Sequence, residues 1–153
     1  MARVPSKTLH YKRSNFATQL PVAFRYTLSH AWLAEVSAGR WRVGLTKFAT
    51  RMLGEMVDHG FDTEPATPVQ CGQILGWVEG FKAISDLYCV GEGRFLGSNP
   101  DLKKKIQLIT KDPYAGGWLY EFEGRPDPRS LIVEPYRDHL DRTIELLLAK
   151  QKL

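Results

Sequence analysis

The segment Val78-Glu79-Gly80-Phe81-Lys82-Ala83-Ile84-Ser85-Asp86-Leu87-Tyr88 holds one lysine between two apolar runs of β character, where the chain has only a few residues in which to turn. An amine at such a tip stands on a flexible stem away from the sheet, within reach of a modifying enzyme. The turn sets where the amine starts, and an attached arm decides where it can travel. Taken alone, Lys82 reads as a solvated turn residue, and Glu79 can be a solvated strand charge. A catalytic role for the chain is not expected, because it shows no metal-type cluster and no nucleophile elbow, and Gly91-Glu92-Gly93 is too short to cradle a phosphate. Cys71 and Cys89 read as two small semi-buried thiols, with a mutual disulfide or a reactive role beside the arm as alternatives.

The elements that must position this tip are short and glycine-punctuated from residue 24 to 123, the pattern of a small β barrel or sandwich. Trp41, Val43 and Leu45 alternate with Arg42, Gly44 and Thr46, which predicts a strand with one apolar face. Ser37, Ala38 and Gly39 make the turn before it, and a short helix over Lys47–Leu53 is closed by Gly54. The proline- and threonine-rich stretch 62–68 predicts an exposed loop. One strand is expected from Val69 through Val78 and a second over 84–90, with Gly80, Phe81, Lys82 and Ala83 as the hairpin tip. Asn99 and Pro100 suit the cap and first turn of a helical segment reaching Leu108, and Trp118, Leu119, Tyr120 and Phe122 complete the sheet. Tyr136, Leu140, Ile144 and Leu147 recur at helical spacing, predicting an amphipathic C-terminal helix to Lys150 that lies across the β core as a lid.

With 153 residues, 43% hydrophobic and 25% charged, the chain suits one domain with a modest core. No apolar run approaches the roughly 18 to 20 residues of a membrane helix, and no secretory signal opens the sequence, so no membrane partner is expected. The net charge of +4 comes without a helix-turn-helix, finger or RNP-like pattern, so no nucleic-acid partner is expected either. Residues 1–34 contain no Asp or Glu but carry Arg3, Lys7, Lys12, Arg13 and Arg25. This composition admits a mitochondrial-matrix protein with a transit segment, although Pro5 and Pro21 interrupt an amphipathic presequence. A basic N-terminal extension, residues 1–23, ahead of a domain over 24–153 in the bacterial cytoplasm is preferred. Two sparsely spaced cysteines fit such a reducing compartment.

Several motifs in order resemble the H protein of the glycine cleavage system. The tip resembles that family's lipoylation site, V-E-S-V-K-A followed by S-D, and Tyr26-Thr27-Leu28-Ser29-His30-Ala31-Trp32 resembles its Y-T-x-x-H-E-W. Val43-Gly44-Leu45-Thr46 is similar to its V-G-I-T strand, and Ala49, Leu53, Gly54 and Glu55 fall on A-x-x-x-L-G-[DE]. Lys111-Asp112-Pro113-Tyr114-Ala115-Gly116-Gly117-Trp118-Leu119 resembles E-D-P-Y-G-E-G-W-L, so the likeness covers residues 24–149.

The resemblance implies a mainly β, barrel-sandwich hybrid fold of lipoyl-domain type with a short internal helix and a C-terminal helix. It implies lipoate attached covalently to Lys82, a dithiolane arm that shuttles an aminomethyl group, and no catalysis by the carrier itself. The implied partners are glycine decarboxylase, aminomethyltransferase, dihydrolipoyl dehydrogenase and a lipoylating enzyme, around a monomeric carrier. Glu79 and Asp86 match the acidic residues that flank the modified lysine, read by the lipoylating enzyme or lining the arm's resting place. Ser29 and His30 match the region that shelters the loaded arm, His30 being equally readable as a structural histidine. Trp32 and Trp118 are expected to pack in the core.

The sequence also departs from the family. Ala31 stands where the family writes the glutamate of H-E-W, removing a charge-assisted contact of about 1.5 to 3 kcal/mol to a cationic cargo. Gly80 and Phe81 replace the usual Ser and Val of the tip, and familiar H proteins are acidic where this chain is basic. These departures leave a second reading open: an H-like lipoate-binding protein serving another system, in lipoyl relay or in bacterial sulfur oxidation.

Overall fold

The alternation at Trp41, Val43 and Leu45 becomes strand β5 (Arg40–Leu45) in the computed structural model, which describes residues 7–151. Gly39, at φ +73°, turns the chain into β5 from β4 (Ala31–Ser37), a conformation glycine adopts without steric cost. The Thr46 hydroxyl then accepts the Ala49 N–H and starts α1 (Lys47–Leu53), and Gly54 ends it at φ +83° by donating its N–H to the Thr50 carbonyl.

The remaining strands are β1 (Thr8–Arg13), β2 (Phe16–Pro21), β3 (Arg25–Tyr26), β6 (Met56–Phe61), β7 (Pro68–Val69), β8 (Ile74–Gly80), β9 (Ile84–Tyr88), β10 (Gly91–Ser98) and β11 (Tyr120–Pro126). Among the described residues a six-stranded sheet runs β3-β4-β5-β11-β10-β7 and a three-stranded sheet runs β6-β8-β9. Leu33, Val43, Phe95 and Phe122 of the first sheet meet Leu75, Val78 and Leu87 of the second in one buried cluster. Each such side chain taken from water contributes about 1.5 to 3 kcal/mol. Neither sheet closes on itself, so the fold is the expected mainly β barrel-sandwich type, open rather than a closed barrel.

The expected continuous strand from Val69 to Val78 is interrupted. Residues 70–73 turn between β7 in one sheet and β8 in the other, with Gly72 at φ +89°. Its N–H donates to the Cys89 carbonyl, and the Cys89 N–H donates to that of Gln73. The second strand accordingly ends at Tyr88. The helical segment after Asn99 is likewise broken, into a 3-10 turn Pro100–Lys103 capped by the Asn99 side chain and a single turn α2 (Leu108–Lys111). Between them the Gln107 side chain reaches back to the Met56 carbonyl.

The C-terminal helix α3 (Val133–Gln151) buries Tyr136, Leu140 and Ile144. It packs in a second cluster with Tyr26 and Trp32, on the side of β3 and β4 away from the first. The β pattern, read from residue 24 onward in the sequence, begins earlier: residues 8–21 of the basic extension form the β1-β2 hairpin, which joins that second cluster through Tyr11, Phe16 and Leu20. Tyr11 Oη donates to Asp141 of α3 at 2.6 Å, and Arg13 pairs with Glu145. Trp32 is fully buried and its indole N–H donates to the Pro113 carbonyl, while Trp118 lies under the Arg42 guanidinium at 4.4 Å.

Candidate functional site: the Lys82 hairpin and its cleft

Strands β8 and β9 pair from Ile74↔Tyr88 to Glu79↔Ile84, and the Gly80 N–H donates to the Ala83 carbonyl to close the turn. Phe81 and Lys82 are therefore the two residues at its apex. The apex is held from outside: the Phe81 N–H donates to the Glu55 carbonyl at 2.9 Å and the Lys82 N–H to the Leu53 carbonyl at 2.8 Å. The end of α1 leaves the Leu53 carbonyl without a helical partner, and the Lys82 N–H supplies the missing donor, while Phe81 bonds the chain just beyond the helix. Gly54 is needed here twice, for its positive φ and because a Cβ would stand 3.0 Å from Lys82 Cγ. The Lys82 side chain is exposed and forms no ion pair among the described residues; its Nζ rests 3.4 Å from the Arg51 carbonyl, a long contact that releases the amine at little cost.

The tip approaches α1 so closely because residue 80 is glycine. A Cβ at Gly80 would lie 2.2 Å from the Leu53 carbonyl oxygen. Gly80→Ser is expected to cost about 1 to 3 kcal/mol, because the tip must lift off the helix end and loosen the Lys82 and Phe81 bonds. Urea unfolding checks this; a variant as stable as the parent would show that the docking contributes nothing.

Along its outer edge β9 faces a cleft of about 90 Å³, closed on the far side by Ala31, Val43, Leu45, Leu119 and Tyr120. Ser29, Ser85, Asp86 and Tyr88 line it too, so the structure brings Ser29 and Asp86 together. Asp86 lies a few residues from Lys82, on the order of 10 Å at about 3.3 Å per residue. Ala31 is buried in the cleft wall, and Asp86, exposed on β9, is the one acidic residue among the lining residues. Glu79 is not in the cleft; it is half-buried on β8, in a cross-strand row with Asp58 and Ile84 beside the tip.

His30 does not line the cleft either. At φ +70° its ring turns to the second cluster, with Nδ1 2.8 Å from Tyr136 Oη and ring centroids 4.6 Å from Phe48 and 5.1 Å from His139. Burial, with the neighbouring His139 second, pushes its pKa down from 6.5 to about 4, so it is neutral at pH 7. Cys71 and Cys89 line an adjoining hollow of about 250 Å³ that shares Ser29, Tyr88 and Val90 with the cleft. Burial raises both thiols, Cys89 to about 11, with the Asp127 carboxylate adding to the rise at Cys71, so both remain protonated at neutral pH.

Sequence reasoning did not find the carbonyls of Leu53 and Glu55 that hold the tip, nor Leu119 and Tyr120 in the cleft wall. Gly54 after a short amphipathic run was the available signal for the first pair; the second comes from far along the chain and has no local signature.

Residues 24–131 match the family model described as Glycine cleavage H-protein. The chain belongs to the glycine cleavage H-protein family. A glycine cleavage system H protein of Mycolicibacterium vanbaalenii is 33% identical over 134 residues, covering 80% of this chain and 98% of the relative. That of Corynebacterium jeikeium is 37% identical over 123 residues, covering 78% and 96%. The crystal structure of a glycine cleavage system H protein from Mycobacterium marinum superposes with a TM-score of 0.72 at 29% identity, over 80% of this chain and 99% of that one. The β1-β2 hairpin thus precedes the region matched by the family model, although it is packed into the same body.

Proposed function

We propose that Lys82 carries a lipoyl group in amide linkage and that the chain is the mobile carrier of the glycine cleavage system, passing the aminomethyl group of glycine from the decarboxylase to the aminomethyltransferase. The observation that carries this reading is an exposed amine, free of ion pairs among the described residues, at the apex of a hairpin whose backbone is pinned to the end of α1. These residues fit the group: acylation needs an accessible amine with no carboxylate to displace, and the neighbouring β9 cleft offers a part-apolar resting place. Once attached, lipoate supplies a disulfide that accepts a carbon unit together with two electrons and returns to the disulfide at a separate dehydrogenase.

The residues of this chain hold and orient rather than react, so the protein is a carrier and not a catalyst. The bonds to Leu53 and Glu55 set the origin of the arm, and tethering replaces diffusion between enzymes by a high effective concentration. Asp86 offers a carboxylate to a cationic cargo lying along β9, with Ser29 and Ser85 as hydroxyl partners. His30, through Tyr136, holds the backbone beside Ser29. Bacterial relatives support a cytoplasmic setting, and no helix among the described residues is long and apolar enough to cross a membrane.

A second reading, a lipoyl carrier for a different set of enzymes, is favoured by one observation: Ala31 leaves the cleft wall without the family's glutamate. Two measurements decide. Protein produced with a lipoylating system is expected to yield a peptide containing Lys82 that is heavier by one lipoyl group, and an unmodified peptide would end both carrier readings. The lipoylated protein is then expected to support glycine–bicarbonate exchange with a glycine decarboxylase. Failure there, with the arm still reduced and reoxidised by dihydrolipoyl dehydrogenase, selects the second reading.

A further inference from the structure

The apex of the hairpin carries more exposed apolar surface than an acylation site requires. Phe81 is 79% exposed and Ile84, three residues on, is 68% exposed. Met52, 46% exposed, sits between the Arg51 and Leu53 carbonyls that receive the Lys82 donors. Phe81 is no loose end, since its N–H is bonded to Glu55 and its neighbour's to Leu53. A solvated aromatic on an ordered backbone beside an amine is the arrangement that interfaces use as an anchor, because the main chain beneath it is already fixed and a Phe side chain has only two torsions to lose on burial. The row Asp58–Glu79–Ile84 runs across β6, β8 and β9 next to the tip, so a protein of net charge +4 presents a locally acidic edge there.

Resting on the carrier reading above, we propose that Phe81 and Ile84, bordered by Asp58 and Glu79, form the docking surface for the enzyme that acylates Lys82, with Phe81 as its anchor. An enzyme that brings an activated acyl group to Nζ must cover the apex, and Phe81 is adjacent to that amine, so the two are buried together. The partner's complement is an apolar pocket with a basic rim. In the step itself the deprotonated amine forms the amide C–N bond while the activated carbonyl's leaving group departs with its electron pair, and the displaced proton passes to a base of the enzyme. Phe81 touches none of these atoms; it positions the lysine by docking.

The test is steady-state lipoylation of the intact chain by a lipoate ligase with ATP and lipoate, comparing the parent with Phe81→Ser and, separately, Ile84→Ser. For Phe81→Ser the KM for the carrier is expected to rise about tenfold or more with kcat within about twofold. Lys82 acylation by a small N-hydroxysuccinimide ester and the thermal midpoint are expected to stay unchanged. Asp58→Asn is expected to raise KM and to reduce its dependence on salt. An unchanged KM in Phe81→Ser overturns the proposal, as does a matching loss of reactivity toward the small ester, which would make Phe81 a modifier of the amine instead of a contact. If the parent itself is never acylated at Lys82, the carrier reading fails and this surface falls with it, a result separate from an unchanged KM.

Discussion

Lys82→Arg is expected to leave the fold intact and to reduce carrier activity to the level measured without carrier. Arginine keeps the positive charge and the backbone N–H that donates to Leu53, and the side chain is exposed, so stability is expected to stay within about 0.5 kcal/mol. A guanidinium, however, stays protonated and delocalised in proteins and has no free amine pair with which to form an amide. The variant is expected to show no lipoyl increment in any peptide and no glycine–bicarbonate exchange. Lipoylation at another lysine with exchange retained would remove Lys82 from its assigned role. The contrast with Gly80→Ser separates anchor from mounting: one loses the amine on a sound hairpin, the other keeps the amine on a loosened one.

Acid is expected to weaken the protein through His30 in a window that the sign of its shift defines. Folded, the imidazole titrates near 4; unfolded, near 6.5. The unfolded chain therefore takes up its proton first as pH falls. His30 costs nothing above about pH 6.5, and its penalty accumulates down to about pH 4, where it reaches on the order of 3 kcal/mol. The cause is the packing of the ring against Phe48, Tyr136 and His139, where a cation would be poorly solvated and would face a second histidine. His30→Asn removes the ionisable group while leaving a polar partner for Tyr136. Urea unfolding of both proteins between pH 7.5 and 4.5 is expected to show the parent losing more stability than the variant on descent. Parallel curves would mean that His30 charges freely in the folded state. Because His30 adjoins Ser29, the same acid loss is expected to loosen that side of the cleft.

The particular residues explain which features were legible beforehand. The alternation at Trp41, Val43 and Leu45, the Thr46 cap with Gly54 at the other end, and the spacing of Tyr136, Leu140 and Ile144 each depend on neighbours a few positions away, so sequence and structure agree there. The break at residues 70–73 did not show in the sequence, because Val69 and Ile74 are both good strand formers and only the crossing between two sheets separates them. The β1-β2 hairpin was missed for a similar reason: its apolar residues acquire a partner only when α3, more than a hundred positions on, returns to cover Tyr11, Phe16 and Leu20.

By itself the sequence determined the β class, the hairpin with Lys82 at its apex, and the family, since these follow from local periodicity, turn chemistry and ordered motifs. Tertiary structure alone decided that the apex is pinned to the Leu53 and Glu55 carbonyls, that Ser29 and Asp86 share a cleft while His30 faces α3, and that residues 8–21 are part of the body. Those features depend on contacts between residues far apart in the chain, formed when each buried face and unpaired backbone group finds a partner that no short stretch of sequence can specify.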